Sequence, residues 1–153
     1  MVMMKKTTSI LFWLFASFAG LSISTAFAID NPDSPDYVAN FKQQADKYKK
    51  TVNDSNLGNR QILLAYDDYQ TFLDKELNKA YKLLMSKLAK PQQTELKQSQ
   101  QKWIAFRDAE FVLINSNWTR SNFGSSFALS RGTYRCSIIE TRVLQLYHYV
   151  KNY

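Results

Sequence analysis

Between Tyr66 and Leu88 the apolar residues return every three or four positions. Tyr66, Tyr69, Leu73, Leu77, Ala80, Leu84 and Leu88 form one stripe, widened by Phe72, Tyr81 and Met85. A strand cannot gather that set on one side, because its side chains alternate with a period of two. The segment must be a helix of about six turns with one face in a core. Tyr37, Phe41, Ala45, Tyr48 and Val52 repeat the pattern upstream, and Cys136, Ile139, Val143, Leu146 and Val150 repeat it near the end. A further helix runs from about Pro91 to Asn115. It carries Leu96, Trp103, Phe106 and Leu113 on one side, with Ile104, Phe111, Ile114 and Trp118 beside them. Apolar over more than half its circumference, it is expected to be the central helix.

The breaks are equally local. Asn53 to Asn59 contains Gly58 and reads as a turn. Pro91 ends one helix and suits the first turn of the next. The stretch from Asn115 to Gly132 holds Gly124 and Gly132 among many Ser and Asn residues, and is expected to be a long loop. The last helix then starts near Thr133. No strand alternation or repeat is present. The expected fold is all-α: a small antiparallel bundle of about four helices, with short connections except for one long loop, 115–132, before the last helix.

The chain start reads differently. Lys5 and Lys6 precede the apolar run Ile10 to Ile23, and "AFA", Ala26 to Ala28, supplies the small residues of a cleavage site. Residues 1–28 are therefore expected to be a signal peptide, 29–36 an extended leader with two prolines, and 37–153 a single domain. The apolar run is short for a membrane span, which needs about 20 residues. No Cys lies near the cleavage site to carry a lipid. The expected product, Ile29 to Tyr153, is periplasmic or secreted. Removing two lysines from 20 basic residues leaves 18 against 13 acids, a net charge of +5. That balance favours acidic partners or anionic surfaces without specifying nucleic acid.

Catalytic chemistry is poorly supplied. His148 is the single His and Cys136 the single Cys. They lie twelve residues apart on one expected helix, about 18 Å along its axis, so they form no nucleophile–base pair. Together they cannot build a typical zinc site, and no internal disulfide exists. Neither a phosphate-binding glycine loop nor a dinucleotide fingerprint is present. No enzyme activity, cofactor or metal is expected.

"SQQKWIAFRDAEF", Ser99 to Phe111, is the most distinctive stretch. Trp103, Arg107 and Phe111 are four apart in turn and share a helix face. An Arg in that company is partly buried and needs a partner, because an unpaired buried charge is costly. Glu140 and Asp74 are candidates from other helices, and Glu110 is the local one. The expected role is structural, with Trp103 in the core and Arg107 joining two helices.

This stretch follows "LDKELNKAYKLLMSKL", Leu73 to Leu88, and precedes "GSS", Gly124 to Ser126, and "CSIIETRVLQL", Cys136 to Leu146. The ordered set resembles the lysozyme inhibitor LprI-like family of small exported bacterial domains. The matching residues are Asn78, Tyr81, Gln100, Trp103, Arg107, Asp108, Gly124, Cys136, Thr141 and Leu146, over roughly Ala65 to Tyr149. Where this chain has Phe111, the family's pattern usually has a Cys. The resemblance implies a helix-to-helix bridge from that position to the one matching Cys136. Here the bridge is lost, and Phe111 is expected to fill its place.

The resemblance further implies a periplasmic binding protein and a protein partner, lysozyme or another wall-degrading enzyme. Two alternatives stand beside it: an immunity-type protein against a periplasmic effector, and a non-inhibitory envelope-binding structural domain. A net charge of +5 opposes rapid association with a basic lysozyme and suits an acidic target. The expected partner contact is the 115–132 stretch, through Trp118, Arg120, Phe123, Ser125, Ser126, Phe127 and Arg131, since loops often carry binding and Trp and Arg are favoured anchors. The opposite reading folds its aromatics back onto the bundle.

Overall fold

The computed structural model describes residues 35–153. The expected signal peptide and most of the leader lie outside the described residues. Helix is the sole regular secondary structure among the described residues, with no strand among them. Helix α1, Tyr37–Val52, starts where the Asp36 carboxylate accepts the Ala39 N–H at 2.9 Å, an N-cap that satisfies an otherwise orphaned donor. Helix α2, Asn59–Lys87, follows Gly58, whose N–H donates to Gln61 Oε1. Only Leu88 and Ala89 separate it from α3, Lys90–Asn117. Gln93 makes the tight connection workable. Its side-chain amide donates to the Met85 and Leu88 carbonyls, which α2 leaves open at its end.

The expected long loop is a chain of short helical pieces. Helix α3 continues to Asn117, α4 covers Arg120–Phe123, a single 3₁₀ turn covers Gly124–Ser126, and α5 covers Phe127–Val150. Local polar groups explain the difference. Thr119 caps α4 by accepting from Asn122 N–H, and the Ser126 hydroxyl bonds the Phe123 carbonyl. Gly124, at φ +57°, is the one residue with positive φ among those described. It supplies the left-handed link between α4 and the 3₁₀ turn at no steric cost.

Gly132 does not break the helix; it sits inside α5, against α2. A Cβ at that position would lie 2.5 Å from Cγ of Tyr66. The absence of a side chain therefore sets how closely the two helices approach. That pair, α2 with α5, is the most extensively packed in the domain. Leu73, Leu77, Ala80 and Leu84 of α2 meet Ile139, Val143 and Leu146 of α5 in one buried cluster, with Phe41 and Ala45 of α1 completing it.

The polar contacts between α2 and α5 fix their direction. Tyr66 bonds Thr133, Tyr69 bonds Glu140 and Tyr147 bonds Glu76. Residue numbers rise together on both sides, so the two helices run parallel. Helix α1 runs against α5, with Lys49 on Glu140 and Tyr37 stacked on Tyr147. Helix α3 also runs against α5, with Gln100 on Arg142 and Trp118 on Tyr134. The principal pair is thus a parallel one, between helices that are not consecutive in the chain. Two successive passes, out along α2 and back along α3, return the chain to the end at which α2 begins, and α5 starts there.

The expected centre is also corrected. Helix α3 buries only Leu96 and Ile114, whereas α2 and α5 bury seven residues each. Its second apolar side stays in solvent. Leu96 is its one member of the main buried cluster, with Trp103 and Phe111 packed against it, while Tyr69, Phe72 and Tyr48 stack across α1 and α2.

Gly132→Ala tests the close approach. Ala is the better helix former by about 1 kcal/mol, but the added methyl must displace the Tyr66 ring, and overpacking typically costs about 1–3 kcal/mol. The variant is expected to lose stability in urea unfolding. A gain would show that α2 and α5 are not held this closely.

Candidate functional site: an arginine–aromatic stack, a cleft and an outward face on α3

Each face of α3 has a distinct chemistry. The face toward α5 alternates guanidinium groups with rings. Arg142 lies 5.9 Å from the Trp103 ring, Arg107 lies 5.5 Å from Trp103 and 5.9 Å from Phe111, and Arg135 lies 5.3 Å from Phe111. The order Arg142, Trp103, Arg107, Phe111, Arg135 is one continuous stack joining the two helices. A cation over a ring contributes about 0.5–1 kcal/mol at an exposed site and more when desolvated.

The partner expected for Arg107 is corrected. Its Nε and Nη2 both donate to Asp108 Oδ1, at 2.9 and 2.7 Å. Glu140 is engaged elsewhere, by Lys49 and Tyr69. Asp74 faces Arg107 across the gap between α2 and α3 without a hydrogen bond between them. Burial pushes the Asp74 carboxyl above the usual carboxylate range, and the Arg107 charge partly opposes the shift.

The deeply buried arginine is Arg142, which sequence reasoning passed over. It is only 7% exposed. No carboxylate meets it. Its Nε donates to Gln100 Oε1 at 3.1 Å, Nη1 to Gln145 Oε1 at 2.7 Å and Nη2 to Ser99 Oγ at 3.1 Å. Burial lowers its pKa from the ordinary arginine value. A signal existed: Arg142 interrupts the stripe Ile139, Val143, Leu146, where a residue points inward whatever its chemistry.

Phe111 sits between the guanidinium groups of Arg107 and Arg135. Cys136 is buried on α5, its thiol 3.9 Å from the Tyr66 carbonyl of α2. Burial, with Glu140 next in effect, pushes that thiol up to about 12, so the group is a protonated, inert core residue. Thr141 faces solvent and bonds the Ser137 carbonyl of its own helix.

On its α2 side, α3 borders a half-open cleft of about 500 Å³. Asp74, Asn78 and Tyr81 line it from α2, and Lys97, Gln100 and Arg107 from α3. Four of the residues that carry the family resemblance, Asn78, Tyr81, Gln100 and Arg107, therefore meet at one cleft.

The third face of α3 looks outward. Phe106 is 52% exposed, Leu113 54% and Val112 69%. Ala105 and Ala109 lie between them at helical spacing, so the apolar surface is continuous along about two turns. The chain beyond it holds the residues expected to bind a partner. Trp118 stacks on Phe123 and Tyr134. Arg131 donates to the Trp118 and Asn115 carbonyls at the end of α3 and covers the Phe127 ring, a cation closing a helix C-terminus. Arg135 adds a bond to the Asn115 side chain. Ser126 is tied to Phe123. Arg120, Phe123 and Ser125 are exposed. The stretch thus divides into an anchored part, Trp118, Phe127 and Arg131, and an outward part.

Among the described residues no group of His, Cys, Asp and Glu could hold a metal ion, and no helix is long and apolar enough to cross a membrane.

The family model for lysozyme inhibitor LprI matches residues 53–146, which span α2 to most of α5. The chain belongs to that family. No curated protein and no solved structure matches it. The matched segment contains the stack, the cleft and the outward face of α3; α1 precedes it.

Arg107→Ala removes the middle cation of the stack and leaves Asp108 without its donor. It is expected to cost about 1–2 kcal/mol, from two ring contacts of about 0.5–1 kcal/mol each. Thermal unfolding measures this, and an unchanged melting temperature would show that the stack does not hold α3.

Proposed function

We propose that this LprI-family chain is an exported binding protein that inhibits lysozyme or another wall-degrading enzyme. It acts by occupying a protein surface and performs no chemistry of its own. The observation that carries this reading is the family match over residues 53–146. The contact is assigned to the outward apolar face of α3, Phe106, Val112 and Leu113, together with Arg120, Phe123 and Ser125 at its C-terminal end. An exposed apolar patch beside aromatic and arginine anchors suits a protein interface. Trp118, Phe127 and Arg131 hold that end in shape, and Ser126 ties the turn to Phe123.

A second reading is favoured by charge. With +5 on Ile29 to Tyr153, from 18 basic and 13 acidic residues, an acidic target is attracted at long range and a basic lysozyme is repelled. An immunity-type protein against an acidic effector fits that sign. An envelope-binding domain that inhibits nothing would use the same charge on an anionic polymer.

Titration of Ile29–Tyr153 into a panel of lysozymes and wall amidases, followed by turbidity of a wall suspension, separates these. Stoichiometric inhibition of one enzyme is expected. Leu113→Glu and Arg120→Ala are expected to weaken it by at least about tenfold, the effect of losing an interface anchor, with the melting temperature unchanged. Inhibition that survives both substitutions removes this face from the account; no inhibition across the panel removes the inhibitor reading.

A further inference from the structure

The cleft between α2 and α3 is separate from the outward face, and its polar groups are held in set orientations. Arginine has only donors, so the bond from Arg142 Nε must end on the Gln100 carbonyl oxygen. The Gln100 amide nitrogen is thereby left as a donor on a residue that lines the cleft. Asn78 is fixed in the opposite sense. Its nitrogen donates to the Asp74 backbone carbonyl at 2.9 Å, which leaves its side-chain oxygen as an acceptor. Arg107 is clamped by Asp108 and two rings, with Nη1 unspent. The Asp74 carboxylate accepts no hydrogen bond from any described residue, although it is half-buried. Lys97 is exposed and forms no ion pair with a described residue. Tyr81 and Ile104 add apolar surface.

This is a donor, two acceptors and two cations within about 500 Å³, a size suited to a small ligand. We infer that the cleft binds a short acylated peptide ending in a free carboxylate. Lys97 and Arg107 meet the carboxylate, Gln100 donates to an amide carbonyl, and Asp74 or Asn78 accepts an amide N–H. A bacterial wall stem peptide has this chemistry, as does any acetylated dipeptide. Arg142 is a positioning residue in this scheme: it is buried without a carboxylate because its task is to orient Gln100. The inference does not depend on enzyme inhibition, because it concerns a different face of α3.

The test is an NMR titration of Ile29–Tyr153 that follows the Asn78 and Gln100 side-chain amides and the Arg107 Nε–H. The probes are N-acetylmuramyl dipeptide, an acetylated dipeptide of the same sequence without sugar, and N-acetylglucosamine. Saturable shifts at these three groups with both peptide probes are expected. A larger affinity for the muramyl probe assigns the wall as the source; equal affinity assigns the peptide end alone. Lys97→Ala is expected to weaken binding about tenfold, the effect of one charge-assisted hydrogen bond. Gln100→Glu gives Arg142 a carboxylate, so the melting temperature should hold or rise, yet binding should be lost because the donor becomes a negative charge. No saturable shift with either peptide probe at millimolar concentration would overturn the inference, as would binding of N-acetylglucosamine alone with equal affinity, or unaltered binding in both variants.

Discussion

Two tyrosine–glutamate hydrogen bonds set the frame on which everything else depends. Tyr69 of α2 donates to Glu140 of α5 at 2.9 Å, and Tyr147 of α5 donates to Glu76 of α2 at 2.6 Å. Each helix thus gives one phenol and receives one, and the two bonds lie seven residues apart on both helices, about 10 Å along the axis. Apolar packing alone is non-directional and tolerates a slip by one turn. This exchange does not, since a slip would take the phenol donor away from each of two largely buried carboxylates. Burial, with the carboxylate alongside, pushes both phenols above their ordinary range, so they remain donors across neutral pH. Lys49 and Lys79 supply the remaining oxygens of Glu140 and Glu76. With the parallel pair fixed, α1 closes one side, and α3 is laid along the other.

Helix α3 is fastened in another way, and this leaves two of its sides uncovered. It buries little apolar area and is held by guanidinium groups stacked on rings and bonded to neutral amides. Such contacts are directional and need only one side of the helix. The side toward α2 is left as a polar cleft, and the outer side keeps Phe106, Val112 and Leu113 in water. A helix sunk into the core could present neither surface. Arg131 and Arg135 extend the same device to the end of α3, where they hold the turn that carries Arg120, Phe123 and Ser125.

The helices were legible wherever one chemical signal dominated. The stripes of α1, α2 and α5, the turn at Gly58 and the restart at Pro91 are all read from spacing. The 115–132 stretch misled because Gly, Ser and Asn ordinarily mark loops. Here they serve as caps, as the single left-handed link at Gly124 and, at Gly132, as the contact point for Tyr66. The place of α3 misled because apolar residues around a whole helix can mean a buried helix or one with an outward binding face, and periodicity does not separate the two. Glu76 and Arg142 were visible as polar interruptions of apolar stripes. Apart from Gln145 and Lys79, one helical turn away, their hydrogen-bond partners lie more than forty residues off in the chain, and no local pattern names them. The family pattern identified Asn78, Tyr81, Gln100 and Arg107 as a set, but only the fold shows that the set surrounds a cleft.

The most direct test of this frame is a double-mutant cycle on Tyr147 and Glu76, using Tyr147→Phe, Glu76→Gln and the pair, with stability read from urea unfolding. The account predicts a coupling of about 1.5–3 kcal/mol, as for a buried hydrogen bond to a charged acceptor. A coupling within about 0.5 kcal/mol of zero, the additivity of independent sites, would show that the exchange does not set the register of α2 and α5, and would contradict the account.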